Sequence, residues 1–248
     1  MPLRNTPLIL SIETATLEGS IALSLGEQLI AVVRGEKDAS HSEYLLRQID
    51  SILREAGKTL GEVDLFAAAV GPGSFTGLRI GLATVKSFAA TLSRPCVGIP
   101  SLEAVAHAAH ASAQIVAALP AGRGELFSQL FSGSSDSAPV SLEEPVHLPP
   151  ARLLEKKRDL KSLVWAGDGA RIYSQIIESF AEEHGIRCAS EESSARQPSD
   201  WIIARPLDPL AQSVAWLAWR RYLLGHVSNT ADLRAIYVRP SDAEIKTA

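Results

Sequence analysis

Cysteine is almost absent: among 248 residues only Cys96 and Cys188 occur, far apart. That excludes a disulfide framework and a cysteine zinc site, and it makes a reducing cytoplasm the expected compartment. Neither sign of charge dominates. Lys and Arg number 24 against 28 Asp and Glu, a net charge of −4 with neutral histidines, which argues against a large basic nucleic-acid footprint. No stretch approaches the roughly 18 consecutive apolar residues that a membrane span needs. After Arg4, the apolar run Leu8-Ile9-Leu10 is soon interrupted by Glu13, so the chain reads as neither secreted nor embedded.

Common catalytic signatures are missing as well. Glycines 71, 73 and 77 are spaced one residue too far for the dinucleotide fingerprint G-x-G-x-x-G, and no Lys follows as in a Walker loop. Ser74 lacks the second glycine of a nucleophile elbow. His107 and His110 stand three apart, and His41 lies near Glu43, but no pair has the i, i+4 spacing with a nearby acid that a helical metal site prefers. No metal is expected. What remains is an ordinary globular balance, 46% hydrophobic and 21% charged, at a length suited to one large domain or two of about 100 to 150 residues.

The patterning is α/β. Runs at 8–12, 20–25 and 29–34 read as a hairpin extended into a meander, and a capping box of Ser40 and Glu43 opens a helix expected to end at Gly57. A buried strand at 65–70 leads through Gly71-Pro72-Gly73-Ser74 into a helix running to about 92. A strand at 96–99 and an Ala-rich helix from Ser101 follow. The second half repeats the mixture: a strand pair at 114–119 and 126–131, a polar loop at 132–150, a strand at 163–166 running into Gly167-Asp168-Gly169, and a helix after it to about His184. A solvated loop at 191–198, a last helix at 207–224 and an extended piece at 235–238 complete it. Two domains are expected, 1–104 and 105–248, with the last helix and tail packing back on the first.

Two segments offer themselves as a site. Gly71 and Gly73, between a buried strand and a helix, can present backbone N–H groups to a phosphate, while Gly77 and Gly81 each cost a helix about 1 kcal/mol relative to Ala. Close approach of a phosphate and tight packing of helix on sheet explain them equally well. The turn Glu13-Thr14-Ala15-Thr16 can hold a phosphate or be ordinary turn chemistry. Glu13, Thr14, Gly71, Gly73 and Ser74 are therefore the candidate nucleotide contacts. At about 100° per residue, Leu78, Leu82 and Val85 form a sheet-facing stripe, and Gly77, Gly81, Thr84 and Phe88 a second stripe one core cannot easily cover. On the helix before, Leu46 and Leu53 are similarly displaced. These six residues are the expected partner surface, with small residues admitting a second helix backbone.

Three segments, Ile9-Leu10-Ser11-Ile12-Glu13-Thr14-Ala15-Thr16, His41-Ser42-Glu43-Tyr44-Leu45-Leu46 and Gly71-Pro72-Gly73-Ser74-Phe75-Thr76-Gly77-Leu78-Arg79-Ile80-Gly81, together resemble the TsaB (YeaZ) family. Gly167-Asp168-Gly169-Ala170 and the ending from Tyr237 to Glu244 extend the likeness over nearly the whole chain. The resemblance implies a duplicated actin-like ATPase (ASKHA, ribonuclease H-like) fold and a role in forming threonylcarbamoyladenosine beside the anticodon of tRNAs reading codons that start with A. It implies as partners the catalytic paralogue TsaD, the ATPase TsaE and a second copy of the chain, with tRNA reached only through the complex. No cofactor is expected to be tightly bound, and ATP or ADP is expected, where it binds, at the partner interface. The paralogue's His-x-x-x-His metal pair falls here on Ser101 and Val105, which implies a subunit without catalytic residues. Glu13 replaces the family's usual Asp, and Pro120-Ala121-Gly122-Arg123-Gly124-Glu125 replaces Asp-Ala-Arg-x-Gly-Glu. An actin-fold small-molecule kinase is the alternative.

Overall fold

A computed structural model describes residues 6–36, 40–134, 137–191, 197 and 199–238. In chain order the elements are β1 (Leu8–Glu13), β2 (Ser20–Leu25), β3 (Gln28–Arg34), α1 (His41–Glu55), a 3-10 turn (Leu60–Glu62), β4 (Leu65–Ala69), α2 (Phe75–Leu92), β5 (Cys96–Ile99), α3 (Ser101–Ala108), β6 (Gln114–Gly122) and β7 (Glu125–Ser132). Then come β8 (Val140–Ser141), β9 (Val146–Leu148), α4 (Pro150–Lys157), β10 (Leu163–Ala166), α5 (Asp168–Ile172), α6 (Ser174–Glu183), β11 (Cys188–Ser190), β12 (Trp201–Ile203) and α7 (Leu210–Leu223). They fall into two units, one of residues up to 104 with 208–237, the other of 105–207 with Val238.

The first unit is built on a sheet ordered β3-β2-β1-β4-β5. β1 pairs antiparallel with β2 and parallel with β4, and β4 pairs parallel with β5. Strand alternation sorts the side chains. Leu8, Leu10, Ile12, Ile21, Leu23, Phe66 and Val70 form one core with Leu45, Ile49, Ile52 and Leu53 of α1 and Leu82, Val85 and Ala89 of α2. The opposite face carries Ser11, Ser20 and Ser24, and α7 covers it: the Ser11 hydroxyl donates to the Ala22 and Ala211 carbonyls, and Ser20 accepts from the Ala211 N–H. α1 begins with the Ser40–Glu43 capping box, and Gly57 after it takes φ +64°. The chain beyond α7 returns along β5, where Ser228 and Cys96 exchange backbone hydrogen bonds, and buries Leu233 in the first core. Arg221 of α7 also donates to the Gly98 carbonyl and to Glu103, both at 2.6 Å.

The second unit's sheet runs β11-β12-β10-β6-β7-β8, with β9 also on β7. Its pattern repeats the first: β6 has an antiparallel neighbour, β7, on one side and parallel strands β10 and β12 on the other. Leu153 and Leu154 of α4, Ala170 of α5 and Ile177 and Ala181 of α6 pack on one face with Trp165 and Trp201, whose ring centroids are 5.3 Å apart.

Several expectations need correcting. The segment 132–150 is not a polar loop throughout, since β8 and β9 both pair with β7. The Gln129 side chain fixes the chain between them by donating to Ser141 Oγ and the Glu143 carbonyl, each at 2.8 Å. α4 follows, opened by Pro150. The one helix expected after Gly167-Asp168-Gly169 is two, α5 beginning already at Asp168 and α6 following an interruption at Tyr173. Short strands β11 and β12 flank the loop of 191–198, which lies mostly outside the described residues, as does the terminal motif from Arg239 onward. In the piece at 235–238, Ile236 N–H donates to the Val70 carbonyl.

Lys157 is almost fully buried, and its ammonium lies 2.6 Å from both carboxylate oxygens of Glu143. Removing one partner of such a pair is costly, whereas an apolar isostere of the buried member is often neutral. Glu143→Ala is expected to lower stability by roughly 2–3 kcal/mol, short of a full buried-pair loss because Glu143 is partly solvated, and Lys157→Met to stay within about 1 kcal/mol of wild type. Urea unfolding of both variants checks this.

Candidate functional site at the glycine turn

β1 ends on Glu13, whose carboxylate is consumed by the turn it starts. One oxygen accepts from the Thr16 N–H at 2.7 Å, and the other from the hydroxyls of Thr16 at 2.9 Å and Ser20 at 3.3 Å. Thr16 Oγ1 in turn accepts from the Gly19 N–H. Burial pushes the Glu13 carboxyl above its ordinary range, against the lowering effect of these bonds. The acid is a turn builder with no free oxygen for a ligand. Thr14, also buried, donates its hydroxyl to the Gly77 carbonyl at 2.8 Å.

The glycine turn meets this corner directly. Ser74 N–H donates to the Ala15 carbonyl at 2.8 Å, and Ser74 Oγ caps α2 by accepting from the Gly77 N–H at 3.2 Å. A Cβ at Gly73 would stand 2.5 Å from the Ala15 oxygen; one at Gly77 would overlap the Thr14 carbonyl, one at Gly81 the Thr14 hydroxyl, and one at Gly71 the Ile236 carbonyl. The spaces the glycines create are therefore filled by the chain itself, and three of the four fillers are carbonyl oxygens. These carry partial negative charge, the wrong sign for a phosphate. The five candidate contacts Glu13, Thr14, Gly71, Gly73 and Ser74 do come together, but as a packed joint. Of the two readings that residue types left open, the geometry favours close packing.

The expected partner surface is placed differently as well. Leu53 lies in the first core, and Gly77 and Gly81 are buried. Thr84 is half-buried, its hydroxyl on the Ile80 carbonyl, and Phe88 is half-buried against Phe66 at 5.8 Å. Of the six residues only Leu46 is open, at 60% exposure. The stripe that α2 does expose is Thr76, Arg79, Ala83, Ser87 and Ala90. Counting one core per helix overlooked the β1–β2 turn as a second surface for α2 to pack on. The pairing of two helical glycines with a Thr-rich turn was the signal available in the sequence.

The metal question turns on α3. Ser101 is fully buried, its hydroxyl accepting from the Gly71 N–H at 3.1 Å while its own N–H donates to the Gly71 carbonyl. Val105 is fully buried. His107 and His110 stack edge to face at 5.6 Å. Among the described residues no group of three or more His, Cys, Asp or Glu could hold a metal ion.

Two tests follow from this geometry. Gly→Ala ordinarily favours a helix by about 1 kcal/mol, but Gly77→Ala is expected to destabilise by roughly 1–3 kcal/mol through overpacking against a backbone oxygen. Gly81→Ala meets a side-chain hydroxyl, so its loss should shrink in the Gly81→Ala, Thr14→Ala double variant, and thermal melts of the set decide it. Burial first, and His110 second, hold His107 down to about 4. Its folded value lies below the unfolded one, so the unfolded chain binds more protons across that interval and stability drains as pH falls from about 6.5 towards 4. His107→Gln should flatten this part of the pH–stability curve.

Comparison with known proteins agrees with this architecture. The family model for TsaD, tRNA N6-adenosine threonylcarbamoyltransferase, matches residues 32–173, more than half of the chain. The tRNA threonylcarbamoyladenosine biosynthesis protein TsaB of Haemophilus influenzae is 35% identical over 129 residues, 48% of this chain and 51% of that protein. TsaB of Bacillus subtilis is 26% identical over 194 residues, 77% of this chain and 84% of that protein. The chain thus spans about half the length of the first relative and most of the second. YeaZ from Pseudomonas aeruginosa superposes with a TM-score of 0.71 at 22% identity, covering 93% of this chain and 99% of that one, which bears on the fold. Two units of one mixed-sheet pattern, antiparallel on one side of the central strand and parallel on the other, make this an actin-like (ASKHA-type) α/β fold. The chain belongs to the tRNA threonylcarbamoyladenosine family that this model describes, among its TsaB (YeaZ) members.

Proposed function

We propose that this chain is a non-catalytic, scaffolding subunit for threonylcarbamoyladenosine formation in tRNA. It pairs with a TsaD-type catalytic paralogue, works with the ATPase TsaE and associates with a second copy of itself, in the cytoplasm and without contact with a membrane. The observation that carries this reading is the occupation of α3: where the resemblance puts the paralogue's metal-binding histidines stand Ser101, tied to Gly71, and Val105, buried. With Glu13 spent on its turn, the joint supplies no acid, base or metal to stabilise charge developing on a transferred group. The kinase alternative is not favoured, because phosphoryl transfer needs such groups and carbonyl oxygens fill the glycine turn. Any ATP or ADP of the complex sits at the partner interface, outside this turn, and tRNA is reached through the catalytic subunit.

The docking surface we infer is the outward side of α1 and α2, with open Leu46 on α1 and the exposed small residues Ala83, Ser87 and Ala90 on α2. Small side chains there let a second helix approach closely. Reconstitution tests the whole reading. With TsaD, TsaE, substrate tRNA, ATP and the threonylcarbamoyl donor, modification should depend on this chain, while the chain alone should neither modify tRNA nor turn over ATP. Robust ATP hydrolysis by the isolated protein, lost in Glu13→Ala, would restore the kinase reading. Leu46→Asp should weaken pairing by about tenfold or more, as for an interface anchor, while leaving the circular dichroism spectrum unchanged.

A further inference from the structure

His41 is the first residue of α1 and almost fully buried. Its ring is wedged between two glycines of different elements. A Cβ at Gly19 would stand 3.0 Å from its Cε1, and a Cβ at Gly77 would stand 2.9 Å from its Cδ2 and 3.0 Å from its Nε2. Only residues without a side chain at both places leave room for an imidazole. His41 Nδ1 lies 2.5 Å from the Tyr44 hydroxyl. That hydroxyl gives its one proton to the Glu18 carbonyl at 2.7 Å, so Nδ1 must be the donor to it. The Thr16 backbone offers an acceptor for a second ring N–H, which exists only in the imidazolium. One side chain thus touches α1, the β1–β2 turn and the first turn of α2.

We propose that His41 is a positioning residue that seats α1 against the β1–β2 turn and α2, so that docking across the outward faces of both helices depends on this internal imidazole. The inference rests on the docking reading above. Among the described residues, the titratable group in contact with the ring is Tyr44 of α1, on whose hydroxyl the charges of Glu13, Glu18 and Glu36 bear; α2 presents its backbone at Gly77. Burial holds His41 below its ordinary value, so it is neutral at pH 7.5. Charging it in acid places a buried cation in this slot, which burial disfavours more than the Thr16 backbone favours it.

The test measures affinity for the TsaD-type paralogue, and for a second copy, from pH 8 to 5.5 in wild type, His41→Ala and His41→Asn. Asn can place a side-chain N–H where Nδ1 stands. His41→Ala is expected to fold, to pair roughly tenfold more weakly at pH 7.5, and to lose the wild type's weakening below about pH 6.5. His41→Asn should recover much of the affinity without recovering the pH step. Hydrogen exchange should show faster opening at the starts of α1 and α2 in the Ala variant. A folded His41→Ala variant that pairs like wild type, or that keeps the same pH step, overturns the proposal. A wild type that binds neither partner at any pH overturns the docking reading, and this inference with it.

Discussion

The first unit takes its geometry from the approach of the β1–β2 turn to the opening turns of α2. Two backbones meet there with almost nothing between them: the Thr14 hydroxyl bonds the Gly77 carbonyl, and Gly77 and Gly81 lie under Thr14 itself. Each helical glycine is unfavourable on intrinsic propensity. The joint offsets that cost by burying Thr14, pinning Ser74 to Ala15 and opening the slot that His41 fills. Glu13 serves the same end from the other side, since its two oxygens fold the turn into the shape that α2 receives. Helix packing, turn geometry and the placement of α1 are consequences of one contact.

Much of this was legible in the sequence because local signals agreed with the tertiary structure. The alternation of β1 and β2, the Ser40–Glu43 capping box and the strand–glycine–helix order around Gly71 all specify elements whose neighbours in sequence are also neighbours in space. The elements that were missed are too short to carry a pattern of their own. β8 and β9 have only two and three residues, and exist because β7 offers them a ladder. β11 and β12 are held by pairing with each other and with β10. The break at Tyr173 carries no proline or glycine to mark it.

The candidate site divides along the same line. Its residues were identifiable by type, and they do converge, but residue type cannot say what fills the space a glycine leaves. Ile236, more than 160 residues away in sequence, fills the space above Gly71. The surface of α2 was displaced for a related reason, since a helical wheel locates apolar stripes but does not count the surfaces available to cover them. Family resemblance and geometry then contribute different things. The first suggests where a paralogue keeps its metal ligands; the second shows that Ser101 is committed to holding Gly71 in place.

The discontinuity of the first unit bears on how the protein is made. During synthesis its sheet emerges early, yet α7, which covers one face, follows about a hundred residues later. At ribosomal speeds of about 5–20 residues per second, that face waits several seconds for its cover. It is lined by Ser11, Ser20 and Ser24, with Ala22 between the last two, and Ser11 has a local acceptor in the Ala22 carbonyl before the Ala211 carbonyl arrives. The small hydroxyl side chains of β1 and β2 tolerate water while they wait, whereas Ile9 and Leu65 on the same face are left without their cover. Leu10, Ile12, Leu23 and Phe66 lie on the face that α1 and α2, made first, can cover at once. The two faces of one sheet are thus buried at different times, the one under α7 last.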